Sequence, residues 1–281
     1  MGKFRFRGRR VNSAYNTRKS VPLKSLLPNL VTSIAACAGI TSISLSSEGR
    51  FSQAMLALLI ACVCDGMDGR IARMLNASSK LGAELDSLAD FVNFGVAPAM
   101  FMYFWLTGGP LHIGCDPILV RAVLACSLFY AMCDCFRLAR FNTMLEQETK
   151  PYWKHFFTGV PAPGGCWMVL TPFILLHSLK VQERWPAVYD FFSSPYFGMV
   201  MLLFVGTLMA SRLPTISLKA VHVKKSAMRP TIAIGLFLIG CLFFNMYLTI
   251  GIIGALYIFT IPFSCLAFSK AKSRYESSSV S

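Results

Sequence analysis

Residues 54–91 read AMLALLIACVCDGMDGRIARMLNASSKLGAELDSLADF. The stretch opens on eleven consecutive apolar residues, the composition of a helix that crosses a bilayer. Between Asp65 and Asp90 it then carries four aspartates, at positions 65, 68, 86 and 90. A charged side chain at the centre of a membrane helix costs about 2.5–3.5 kcal/mol on the insertion scale. Four of them at the edge of a bilayer require a reason, and that reason decides how the rest of the chain is read.

The composition sets the frame. The chain has 281 residues, 55% hydrophobic and only 14% charged, with a mean hydropathy of +0.56. A soluble domain would carry roughly 25% charged residues, so the sequence predicts an all-α, polytopic membrane helix bundle. Met1 to Lys24 is a long basic segment followed by a full-length span, which does not read as a cleavable signal peptide. The cysteines lie mostly within apolar runs and read as small buried hydrophobes rather than a metal site.

Candidate spans are 27–47, 51–75, 83–107, 117–140, 161–180, 194–212, 231–247 and 250–268. With the N-terminus inside, they place 23 of the 27 Lys and Arg on the inner side. Only Arg50, Arg121, Lys180 and Arg184 fall outside. The positive-inside rule then predicts eight helices with both termini cytoplasmic. The net charge of +14 matches anionic headgroups on that leaflet better than nucleic acid. Residues 1–24 form a basic arm, and 270–281 a polar tail. Pro161, Pro163 and the Gly164-Gly165 pair mark a turn into the fifth span. A basic loop after residue 215 separates six spans from a closing hairpin that reads as scaffold. The aspartate pattern does not recur, so the inverted-repeat logic of transporters finds no support.

On a helix, Asp68 stands about 60° from Asp65, Gly69 about 40°, and Ala72 within about 20°. One face of the second span therefore joins two carboxylates to two of the smallest residues. Gly82, Asp86 and Asp90 recur every four residues, again along one stripe. The nine-residue turn 74–82 makes the two helices antiparallel neighbours, and their carboxylates can converge near the inner membrane surface. Unneutralised, such a cluster repels itself. Oxygen-only ligands suit one or two hard divalent cations, Mg²⁺ or Mn²⁺ rather than Zn²⁺. A two-metal carboxylate site stabilises in-line phosphoryl displacement. Arg73 offers a positive fork for phosphate, and Gly69, Ala72 and Gly82 leave room for a nucleotide against bare backbone.

The pattern DGMDGRIAR, then Gly82, Asp86 and Asp90, fixes eight positions over 26 residues. It resembles the complete signature of the CDP-alcohol phosphotransferase family. LPNLVT, DSLADFVNFGVAPA, FRLARFN and GVPAPGG resemble that family's phosphatidylserine synthase branch. The resemblance implies a catalytic core over 25–215, with 216–269 as loop and hairpin. It implies that Asp65 and Asp86 bridge two metal ions, that Asp68 binds one, and that Asp90 binds the other while acting as base. It places CDP-diacylglycerol on Asn29, Thr32, Gly69, Arg73 and Ser79, and L-serine as the attacking alcohol. It also implies a homodimer in a bacterial cytoplasmic membrane. Asn93 stands where related synthases tend to read Ser. With Arg137 and Arg140 it is a candidate for contacting serine.

Other readings stay open. Glycerol 3-phosphate, an inositol phosphate or choline could replace serine as acceptor. A divalent-cation transporter could also line a path with aspartates, although Arg73 would oppose cation entry. A membrane prenyltransferase would keep its Asp-rich motifs in widely separated loops. Arg137 and Arg140 close a helix where cations favour the dipole, and Asp134 reads as the ion-pair partner of Arg137. Glu84 and the PYWKHFF aromatics read as interfacial, and the four histidines as scattered.

Overall fold

A computed structural model describes residues 26–77, 79–109, 116–144, 156–216 and 228–280. The basic arm, most of PYWKHFF, His112, His155 and His222 lie outside them. Every candidate span is helical. Helix α1 (Leu26–Ser47) and helix α2 (Phe51–Met74) form the first pair. The third span is one run made of α3 (Lys80–Asp90), a π-helical turn (Phe91–Val96) and α4 (Ala97–Leu106). Helix α5 (Pro117–Met144) and helix α6 (Ala162–Ser178) follow. The short α7 (Val181–Arg184) and α8 (Pro186–Ser193) lead into α9 (Pro195–Ala210), and α10 (Met228–Phe244) and α11 (Met246–Val280) close the bundle.

By length and apolar composition, Leu26–Ser47 and Pro117–Thr143 can each cross a membrane, and α8 with α9, bent by 50°, would make a third span. Large apolar side chains such as Val63, Ile118, Val200 and Phe243 face outward. That is the surface a bilayer covers, and the chain is a polytopic helical membrane protein.

Small residues set how the first helices meet. Helix α1 buries Thr32, Ala35, Gly39, Ser42 and Ser46, and α2 buries Ala54, Ala57 and Ala61. Such stripes let backbones approach closely where lipid supplies no hydrophobic drive. Helix α1 packs on α2, α3 and the π-turn together. A Cβ on Gly39 would collide with Asn93 Oδ1 in that turn. The π-turn is locked from its other side by Tyr130 of α5, whose hydroxyl donates to the Phe94 carbonyl at 2.9 Å. An aromatic cluster centred on Phe101 and Phe173, with ring centroids 4.9 Å apart, packs on Phe51 at the start of α2, the end away from the aspartates.

Four details depart from the sequence reading. The turn between the aspartate helices is shorter than nine residues, because Ser79 caps α3 by accepting from the Gly82 N–H at 3.0 Å. Where two loops were expected, strands β1 (Phe156–Thr158) and β2 (Pro214–Ile216) pair antiparallel, Phe157 opposite Thr215. The polar tail continues α11 to Val280, since no Gly or Pro after Pro262 stops it. Among the described cysteines only Cys133 and Cys166 are buried, and Cys37 is exposed. A face turned to lipid tolerates a thiol as readily as a core does.

Candidate active site

Helix α2 presents Asp65 and Asp68, and α3 presents Asp86 and Asp90. One carboxylate oxygen each from Asp65, Asp68 and Asp86 lies within 4.8 Å of the other two. Asp68 is 4% exposed. Thr32 of α1 donates to its Oδ2 at 2.6 Å, and the Gly69 N–H donates to its Oδ1. One carboxylate of the three is thus held from both sides. The Asp90 carboxyl lies beside that of Asp65, with its Oδ1 buried and unpartnered. Among the described residues none of the four aspartates makes a salt bridge.

That is a donor set waiting for a cation. The oxygens are hard, crowded and without a salt-bridge partner among the described residues, and a divalent ion is the partner that would satisfy them. The triad can therefore hold a metal ion, with the Asp90 oxygen next to it still free.

Beside the triad lies a cavity of about 290 Å³. Asn29, Gly69, Ala72, Arg73, Ser79 and Gly82 line it, with Asp68 and Asp86 at one side. The structure thus brings together residues from α1, α2, α3 and the intervening turn. Its glycines differ in kind. A Cβ on Gly82 would stand 2.9 Å from Asn29 Oδ1 and 3.1 Å from Ser79 Oγ, so any larger residue would displace the ends of both side chains. A Cβ on Gly69 would meet only Arg73 Nη1, at 4.0 Å. Among the described residues nothing else fills that side, and it opens on the cavity where a ligand could lie against the backbone. Thr32 does not line the cavity; it holds Asp68.

The two arginines of α5 are used differently. Arg140 Nη1 donates to the Ser211 carbonyl at 3.1 Å, tying α5 to the end of α9. Arg137 donates from Nε to Asp134 Oδ1 at 3.3 Å. Its terminal nitrogens have no protein partner among the described residues, and its charge faces Asp90. Asp134 is fully buried, so the guanidinium is anchored at its inner end and open at its outer one. Asn93 is not brought to this place. It is fully buried against Gly39, with both amide atoms unpartnered. His177 pairs with Ser52 Oγ at 3.2 Å, at the opposite end of α2 from the aspartates.

Converging carboxylates, a glycine-floored cavity and a guanidinium open at its outer end are the parts that a phosphoryl-transfer site requires. Comparison with known proteins agrees. A family model described as CDP-alcohol phosphatidyltransferase matches residues 25–209, and the chain belongs to that family. Among its relatives, CDP-diacylglycerol–serine O-phosphatidyltransferase of Mycobacterium leprae is 34% identical over 255 residues, covering 90% of this chain and 79% of the relative. The Mycobacterium tuberculosis protein of the same name is 35% identical over 251 residues, covering 88% and 80%. That of Helicobacter pylori is 37% identical over 145 residues, covering 52% and 56%.

Proposed function

We propose that this protein transfers the phosphatidyl group of CDP-diacylglycerol to the hydroxyl of L-serine, giving phosphatidylserine and CMP. The observation that carries this reading is the mutual approach, within 4.8 Å, of oxygens from Asp65, Asp68 and Asp86 at the edge of the glycine-floored cavity. The CDP moiety lies along Gly69, Ala72 and Gly82, with Arg73 and Ser79 at its phosphates and Asn29 on the α1 side. Asp65, Asp68 and Asp86, joined by Asp90, are the residues that would hold two divalent ions, Mg²⁺ or Mn²⁺. Bound there, such ions neutralise the diphosphate and stabilise the attacking and leaving oxygens.

The serine oxygen forms a bond to the lipid-side phosphorus, the bond from that phosphorus to the CMP oxygen breaks, and CMP leaves with the electron pair. Asp90 accepts the serine hydroxyl proton on its unpartnered Oδ1. Arg137 is the residue for the serine carboxylate, because its outer nitrogens are unengaged and can grip a carboxylate bidentately. Arg140 is occupied in holding Ser211. The reading includes eight crossings of a bacterial cytoplasmic membrane, a cytoplasmic site and termini, a core over 25–215 and a homodimer.

The decisive experiment is CMP release from CDP-diacylglycerol by the purified protein with serine, glycerol 3-phosphate, an inositol phosphate or choline, beside a cation-flux assay in vesicles. Serine-dependent release without flux is the expected result. Release with another alcohol alone would change the acceptor, and flux without release would overturn the transferase reading.

A further inference from the structure

The third span changes its winding immediately after Asp90. Of the residues of α3 only Ala89 is buried, and Leu81 and Leu88 face outward. Helix α4, beyond the π-turn, buries Pro98, Phe101, Met102 and Leu106 among others, and Phe101 packs on both Phe51 and Phe173. Packing thus fixes the rotation of α4 and leaves that of α3 largely to the joint between them. That joint is the π-turn, in which the Ala97 N–H reaches back to the Val92 carbonyl. Each such turn takes up one residue more than an α-turn. Were it to relax to α-helix, the stripe of Asp86 and Asp90 would swing by about 100°, one residue's rotation, away from Asp65 and Asp68.

Two residues oppose that relaxation. In an α-helix the Phe94 carbonyl would accept from the N–H of residue 98, but Pro98 has none. Tyr130 of α5 supplies a donor in its place: its buried hydroxyl meets the Phe94 carbonyl at 2.9 Å. One turn further along α5, Asp134 lies against the same segment, where a Cβ on Gly95 would stand 2.8 Å from its Oδ2.

We propose that Tyr130 is a positioning residue for the aspartate site: with Pro98 it holds the π-turn, and the π-turn holds Asp86 and Asp90 toward α2. Its side chain is part of neither the cavity lining nor the triad, so it acts through the backbone. Without the hydroxyl, the buried Phe94 carbonyl loses its donor, which is unfavourable, and the turn is free to repair the loss by rewinding. This inference rests on the aspartates being the metal site of the proposed function.

The test uses the purified full-length protein in two assays, Mn²⁺ binding followed by electron paramagnetic resonance and steady-state CMP release. Tyr130→Phe removes one oxygen and keeps the ring. In it, Mn²⁺ affinity and kcat should each fall about 10–100-fold, as losses behind a ligand generally do. The KM for serine should stay put, because Arg137 stands on α5 and not on the helix that turns. Pro98→Ala gives the Phe94 carbonyl its ordinary donor and should lower Mn²⁺ affinity and kcat in the same way. It also covers the case in which the phenylalanine variant does not fold. Combined, the two changes should cost less than the sum of their separate effects, since both act on one turn. A lower melting temperature in Tyr130→Phe with Mn²⁺ affinity and kcat unmoved would make the hydroxyl a strut and overturn the proposal, as would additive effects of the two changes. Absence of CMP release by the wild type with any alcohol would instead overturn the transferase reading, and the Mn²⁺ titration would still decide the role of Tyr130.

Discussion

Under the proposed function, the donor and acceptor sides of the site are built on opposite plans. The donor side comes largely from 26 consecutive residues on α2, the turn and α3. It is open, lined by Gly69, Ala72 and Gly82, and among the described residues its carboxylates have no salt-bridge partner. The acceptor side is drawn from α5 and what packs on it: Asp134 holds Arg137 at its inner end and the Ser211 carbonyl holds Arg140, leaving the outer nitrogens of Arg137 open. A site that binds a nucleotide and metal ions needs unsatisfied oxygens and bare backbone. A site that discriminates among small alcohols needs groups held still.

If that contrast is correct, the donor side should be the more sensitive to loss of charge. Asp86→Asn should lower turnover by at least about 10³-fold, the several kcal/mol that bound cations supply to a phosphoryl transition state. A chelator should silence the wild type, with recovery on adding Mg²⁺ or Mn²⁺. Near-normal turnover in the variant would break the two-metal reading. Asp90→Asn should cost about 10²-fold or more in the chemical step while binding of a nonreactive CDP-lipid, followed by titration calorimetry, remains. If lipid and metal binding collapse as well, Asp90 is chiefly a ligand.

Smaller effects sharpen the comparison. Thr32→Val removes the hydroxyl that orients Asp68 and should weaken metal affinity about 10–100-fold, as losses behind a ligand generally do; metal titration of activity measures it. Arg137→Lys should raise the serine KM about tenfold, because the planar fork is lost, with CDP-diacylglycerol little affected. Arg140→Lys should leave the serine KM unmoved and lower the melting temperature instead, since Arg140 holds Ser211. A matching serine effect in both variants would erase the distinction between the two arginines.

The plans also explain what was readable in the sequence. The four aspartates, Gly69, Arg73 and Gly82 are close in sequence, so helical periodicity alone brings them to common faces. Thr32 and Asp68 are 36 residues apart, and no local pattern announces their bond. The π-turn lies in FVNFGV, where almost every residue is apolar and no period betrays the added residue. Strands of three residues that pair across four intervening helices escape any window. Arg137 and Arg140 are the same residue type one turn apart, and only their partners separate them. Tyr257, inside an apolar helix, gives no hint that it reaches back to Gly164.

Helix α11 runs for 35 residues, Met246 to Val280. At 1.5 Å per residue that is about 52 Å, against a hydrocarbon core about 30 Å thick. Roughly 20 Å of rigid rod is left over even if the helix stands upright. A fluorescent reporter or affinity handle joined after Ser281 would ride on that mast, clear of the headgroups and away from the aspartate helices. The protein carries its own attachment point for watching it at work in an intact membrane.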